Sequence, residues 1–127
     1  NTAGRIADVT KVLKDNSINL RAIMIADTAD FGILRIITDD SEKALSVLKD
    51  AKFTTKTTDV LAISISDKVG ALHDVMALFQ NNGINIEYLY ASLEKTGDTA
   101  IIIFKVEDPE KGLEVIKANG LSTAGSF

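Results

Sequence analysis

The chain carries the same pattern twice. Gly4-Arg5-Ile6-Ala7-Asp8-Val9 aligns with Gly70-Ala71-Leu72-His73-Asp74-Val75 and matches glycine to glycine, aspartate to aspartate and valine to valine. Without any gap, Asn16-Ser17-Ile18-Asn19-Leu20 then falls on Asn82-Gly83-Ile84-Asn85-Ile86. Two residues inserted near Lys95 to Asp98, where a turn tolerates them, bring Asp40-Ser41-Glu42-Lys43-Ala44-Leu45 onto Asp108-Pro109-Glu110-Lys111-Gly112-Leu113. A duplication of this length outranks any local propensity as a constraint on fold, because both halves must build the same unit. It divides the chain into residues 1–58 and 59–127, each of a size that is marginal as an isolated domain.

Periodicity gives the elements of each copy. Ile6, Val9 and Leu13, and then Leu72, Val75, Met76 and Phe79, recur at the spacing of a one-sided helix. Asn16 and the pair Asn82-Gly83 follow these helices, residue types suited to left-handed helix-ending conformations. Residues 18–26 and 84–93 are rich in β-branched and aromatic side chains, as are 33–38 and 100–106, and Gly32 or Thr96-Gly97-Asp98 makes each pair a hairpin. Asp40 and Asp108 cap second helices that carry Ala44, Leu45 and Leu48, or Leu113 and Ile116, on one face. Residues 53–58 are expected to close the first copy, 60–66 to open the second, and 121–127 to close it.

The order strand, helix, strand, strand, helix, strand defines an α+β fold: two tandem ferredoxin-like βαββαβ units, each an antiparallel sheet with its helices on one face. The first unit begins where its opening strand should already have ended. That strand is expected to belong to the natural protein, with the chain from Asn1 onward lacking it.

Composition removes several functional classes. A net charge of −4 with scattered Lys and Arg offers no basic footprint for nucleic acid. No apolar run reaches the roughly 20 residues of a membrane span and no signal peptide is evident, so a cytoplasmic protein that does not engage membranes is expected. With no cysteine, one histidine, no phosphate-binding loop and no metal-spaced cluster, nothing resembles a catalytic centre, and neither a metal nor a cofactor is expected.

The segment Leu61-Ala62-Ile63-Ser64-Ile65-Ser66-Asp67-Lys68-Val69-Gly70-Ala71-Leu72, followed by Phe79-Gln80-Asn81-Asn82-Gly83-Ile84-Asn85-Ile86, resembles an ACT domain. In that family an apolar strand enters a helix through an Asp-x-Pro-Gly-x-Leu turn, and a Gly-Ile-Asn-Ile segment opens the next strand. The resemblance covers the second copy and most of the first, and is nearest to free-standing tandem members. Val69 departs from it, standing where the family usually has proline. The resemblance implies a regulatory module that binds a free amino acid or similar small ligand at domain interfaces and often controls amino-acid metabolism.

The implied ligand residues are Asp67, Lys68, Val69, Gly70, Ala71 and Leu72, with Asn85 and Ile86 at the next strand. In the first copy they are Asn1, Thr2, Gly4, Arg5 and Ile6, with Asn19. A helix entered through a glycine-bearing turn leaves its first backbone amides without intrahelical partners at the positive end of the helix dipole, where a carboxylate fits. Asp67 or a backbone carbonyl would take the ammonium group. Asn85 is expected to face the same turn, on the reading that its strand lies beside the opening one.

Plainer roles fit the same residues. Gly70 and Gly4 serve equally as tight-turn glycines, Asn85 and Asn19 as loop ties, and Asp67 as a helix N-cap. His73 reads as a solvated helix residue, and Tyr88 and Tyr90, on one strand face, as packing groups. Two functions remain in contention. One is an allosteric amino-acid sensor, expected as a homodimer. The other is a structural subunit that oligomerises and holds a biosynthetic enzyme, like a small subunit of acetolactate synthase, without sensing a ligand.

Overall fold

The computed structural model describes residues 4–27 and 32–124. In chain order these form α1 (Arg5–Asp15), β1 (Leu20–Asp27), β2 (Gly32–Thr38), α2 (Ser41–Asp50), β3 (Leu61–Ser66), α3 (Ala71–Asn81), β4 (Ile86–Thr96), β5 (Thr99–Val106), α4 (Pro109–Ala118) and β6 (Ser122–Thr123). They fall into two compact units, Asn1–Thr58 and Asp59–Phe127. The architecture is α+β, that of tandem ferredoxin-like units.

The second unit is built around β3. Its sequence alternates large apolar and small residues, so one face presents Leu61, Ile63 and Ile65, all buried, and the other Ala62 and Ser64. β3 pairs antiparallel with β5 on one side, Leu61 opposite Phe104 and Ile63 opposite Ile102, and with β6 on the other. β5 in turn pairs with β4. The strand order is therefore β4, β5, β3, β6. Val75 and Phe79 of α3 and Ile116 of α4 close over β3 and β5, and Phe79 meets Phe104 edge to face with ring centroids 5.4 Å apart. Each such side chain contributes about 1.5–3 kcal/mol on burial. α4 lies so close to the sheet that a Cβ on Gly112 would sit 2.8 Å from Leu61 Cδ1 and 3.3 Å from Val106 Cγ2.

The first unit repeats this plan down to individual bonds. β1 and β2 form an antiparallel hairpin, and the irregularity between Leu20 and Ala22 recurs between Ile86 and Tyr88. Leu13, Ile18, Ala44 and Leu48 form its core, with Val9, Val12, Ile36 and Phe53 packed against them. The Asp40 carboxylate accepts from Lys43 N–H, as Asp108 accepts from Lys111 N–H. Phe53 N–H donates to Leu48 C=O at 3.0 Å, and Leu121 N–H to Ile116 C=O at 3.1 Å.

Three sequence expectations change. After α3 the left-handed residue is Gly83 (φ 67°), within the expected pair, but after α1 it is Ser17 (φ 57°), one position beyond Asn16. Asn16 and Asn82 instead turn their side-chain amides back to donate to Val12 C=O and Leu78 C=O. The strand expected at 53–58 does not form, and residues 53–60 are irregular. The physical reason lies in the pairing. β6, the closing strand of the second unit, bonds to the opening strand β3, and among the described residues the first unit has no counterpart of β3. Finally, the strand expected at 121–127 contracts to β6, with 125–127 outside the described residues.

The contact beneath α4 yields a stability test. Gly112→Ala is expected to overpack the core and lower stability by about 1–3 kcal/mol in urea titrations monitored by circular dichroism.

Candidate functional site

β3 ends at Ser66, and the chain turns into α3 through Asp67, Lys68, Val69 and Gly70, all exposed. Ala71 N–H donates to Lys68 C=O at 3.1 Å, and Gly70 has φ 87° and ψ −10°. Those values are the second central position of a type II turn, with Val69 at the first. The left-handed φ makes glycine the residue of choice at position 70, although a Cβ there would meet nothing within 4 Å. The turn is tied to the β4–β5 hairpin by a 2.6 Å bond from Asp67 N–H to Asp98 C=O.

The helix starts fall into two classes. α2 and α4 are capped by the side chains of Asp40 and Asp108, and α4 adds Pro109 in its first turn. α1 and α3 begin at Gly4 (φ 92°) and Gly70, and neither has a side-chain cap. The Leu72 and His73 amides of α3 therefore have no intrahelical acceptor and sit at the positive end of the helix dipole. Val69 is fully exposed, and Leu72 is 39% exposed beside it. The turn thus offers two free donors, a glycine that lets a ligand approach the backbone, and an apolar rim. Asp67 is not the N-cap, which is Gly70.

The remaining expected residues lie elsewhere. In the second unit β5 stands between β3 and β4, so the strand that follows Asn85 is not beside the opening strand. Register puts the two features at opposite ends of the sheet: Ser66 faces Thr99 at the hairpin end, whereas Ile86 faces Val106 at the other. Asn85 is exposed, its C=O accepting from Glu107 N–H at 3.0 Å, and it borders an open cavity of about 720 Å³ with Asp59, Ile84, Glu107, Asp108 and Glu110. Ile86 packs against the core. In the first unit Asn19 N–H donates to Asp39 Oδ1 and its C=O accepts from Asp39 N–H. The Arg5 guanidinium lies 4.3 Å from the centroid of the Phe53 ring, Ile6 is 39% exposed, and Asn1 and Thr2 lie outside the described residues. His73 is exposed on α3. Tyr88 and Tyr90 stack on each other, and Tyr90 is buried.

Sequence reasoning missed the hairpin tip at Gly97 and Asp98. The signal was present, since a split βαβ order places the tip of the second hairpin beside the end of the opening strand.

A family model described as an ACT domain pair matches residues 1–125. Among solved structures, the chain is similar to protein BT0572 from Bacteroides thetaiotaomicron at 38% identity and TM-score 0.89, over 97% of this chain and 84% of that one. A putative glycine cleavage system transcriptional repressor matches at 12% identity and TM-score 0.36, over 98% of this chain and 89% of that one. A protein from Galdieria sulphuraria matches at 18% identity and TM-score 0.39, over 97% and 89%. Neither of these two resembles the chain closely enough in shape to bear on its function. No curated protein matches the sequence. Among the described residues no helix is long and apolar enough to cross a membrane.

The turn type itself yields a prediction. Position 69 is the proline-favouring position of a type II turn, and no hydrogen bond from Val69 N–H ties it down. Val69→Pro should therefore raise stability by about 0.4–1 kcal/mol through the unfolded state, while Gly70→Ala should lower it by about 1–2 kcal/mol, both read from thermal unfolding.

Proposed function

The chain belongs to the family of ACT domain pairs, regulatory modules that bind small molecules, and from that premise we propose that it is an amino-acid sensor without catalytic activity of its own. The ligand's carboxylate would bind at the turn between β3 and α3. The observation that carries the reading is the open start of α3. The Leu72 and His73 amides have no intrahelical acceptor and no side-chain cap, beside a glycine held in a left-handed conformation, whereas α2 and α4 are both capped by aspartate. Lys68 adds an exposed cation, and Asp67 and the Asp98 carbonyl supply acceptors for an ammonium group.

Asn85 cannot join that ligand within one unit. The 11-residue α3 that separates it from the turn is about 16 Å long, several times the span of a free amino acid. In this reading Asn85 completes a site only when a second copy of the chain presents it to the turn, which makes the homodimer part of the sensing mechanism. The competing reading, a structural subunit that holds a partner enzyme, needs no ligand at all.

A thermal-shift screen of the twenty amino acids separates the two. At least one is expected to raise Tm with concentration, by an amount equivalent to about 2.7 kcal/mol at one hundred times Kd. Gly70→Val should remove that shift while leaving the far-ultraviolet circular dichroism unchanged. Asn85→Ala should remove it only if the second copy contributes. If no amino acid stabilises the chain, or if Gly70→Val responds like the parent, the sensor reading fails.

A further inference from the structure

Two Asn-Gly pairs occur in the chain, Asn82-Gly83 and Asn119-Gly120, and each ends a helix of the second unit. Glycine has no Cβ to hinder its backbone nitrogen, so this is the pair in which that nitrogen most readily attacks the side-chain amide before it. The attack forms an N–C bond to the asparagine Cγ and expels ammonia. Water then opens the cyclic imide at either carbonyl and leaves aspartate or isoaspartate.

The native caps oppose this reaction at three points. The side-chain amide is held, Asn82 Nδ2 donating to Leu78 C=O at 2.9 Å and Asn119 Nδ2 to Val115 C=O at 2.8 Å. The attacking nitrogen is held as well, Gly83 N–H donating to Gln80 C=O and Gly120 N–H to Lys117 C=O. Ring closure also requires ψ to swing the glycine nitrogen onto Cγ, far from the 12° of Asn82 and the 15° of Asn119. Either pair therefore reacts only when its helix end opens, and the rate follows the cost of that opening.

The two ends differ in that cost. Gly83 N–H reaches its acceptor at 3.1 Å and Gly120 N–H at 3.3 Å. Ile84, next after Gly83, is buried, bonds to Phe79 C=O at 2.9 Å and leads towards the 11-residue β4. Leu121, next after Gly120, is half-buried and leads into the two-residue β6. A Cβ on Gly83 would meet Lys111 Nζ at 3.8 Å, whereas Gly120 borders open space.

We propose that Asn119 is a site of spontaneous deamidation, that it reacts well ahead of the chemically identical Asn82, and that its isoaspartate product releases β6 from β3. Isoaspartate adds a carbon to the main chain between α4 and β6. That addition moves Ser122 and Thr123 out of their pairing with Ser64 and Ile63. The new carboxylate also replaces the donor to Val115 C=O, at the negative end of the helix dipole.

The test follows the full chain at neutral pH and physiological temperature, folded and in urea, with both asparagines scored by peptide mass spectrometry. In urea the two pairs are expected to react at similar rates. In the folded chain Asn119 is expected to react about tenfold faster than Asn82. The aged chain carrying isoaspartate at 119, separated by its added charge, should exchange the Ala124 amide, which donates to Ala62 C=O at 2.8 Å, about tenfold faster than the fresh chain. The proposal is overturned if folded Asn82 reacts as fast as Asn119, or if Asn119 stays intact in the folded chain while the urea sample converts. It is also overturned if the separated product protects Ala124 as well as the fresh chain does.

Discussion

The second unit depends on one strand. β3 is short, yet it is the element on which both helices rest and through which β5 and β6 join one sheet. Its alternation of Leu61, Ile63 and Ile65 with Ala62 and Ser64 decides which face receives α3 and α4, because shifting the register of a strand by one residue exchanges its faces. The close seat of α4 follows. Gly112 is held against Leu61 and Val106 with no room for a Cβ, while the repeat places Ala44 at the same point of α2. Two helices of one design thus carry different residues at one position.

The repeat also separates geometry from residue identity. The left-handed turn after α1 is made by Ser17 and that after α3 by Gly83, and Lys52 and Gly120 do the same work after α2 and α4, with φ of 71° and 72°. Backbone position is conserved between the halves even where the residue best suited to it is not, so the first unit carries local strain that the second avoids. The turns ahead of α1 and α3 behave otherwise. Both helices start at a glycine, with φ of 92° and 87°, and neither has a side-chain cap. Where folding alone sets the requirement, as at the starts of α2 and α4, an aspartate satisfies the free amides. In the sensor reading, the free amides left twice at matching places await a ligand that brings its own acceptor.

What the sequence made legible was local. Helix spans, the Asp40 and Asp108 caps, both hairpins and the duplication depend on neighbours within a few residues or on direct matching. The features that went astray depend on which distant strands meet. A closing strand at 53–58 was suggested by composition, but a strand needs an edge to bond, and the described first unit offers none at that place. An Asn85 beside the Gly70 turn requires its strand to neighbour β3, whereas β5 lies between them. The Asp98 carbonyl went unnoticed for the same reason, being 31 positions from Asp67 in sequence and one hydrogen bond away in space.

That topological fact reshapes the candidate site more than any single residue does. In the sensor reading, a ligand at the start of α3 would find donors, an exposed cation and acceptors, but its outward side would face solvent, with Val69 fully exposed at the rim. Binding sites that discriminate between small ligands bury most of the ligand's surface, and this turn alone buries little. In the sensor reading, the half of the site that would read the ligand's side chain comes from a surface that packs against the turn. Occupancy and association are then linked: a ligand that needs both surfaces strengthens their contact by the same free energy with which the contact strengthens binding. A regulatory module that binds a small molecule can act by that linkage alone.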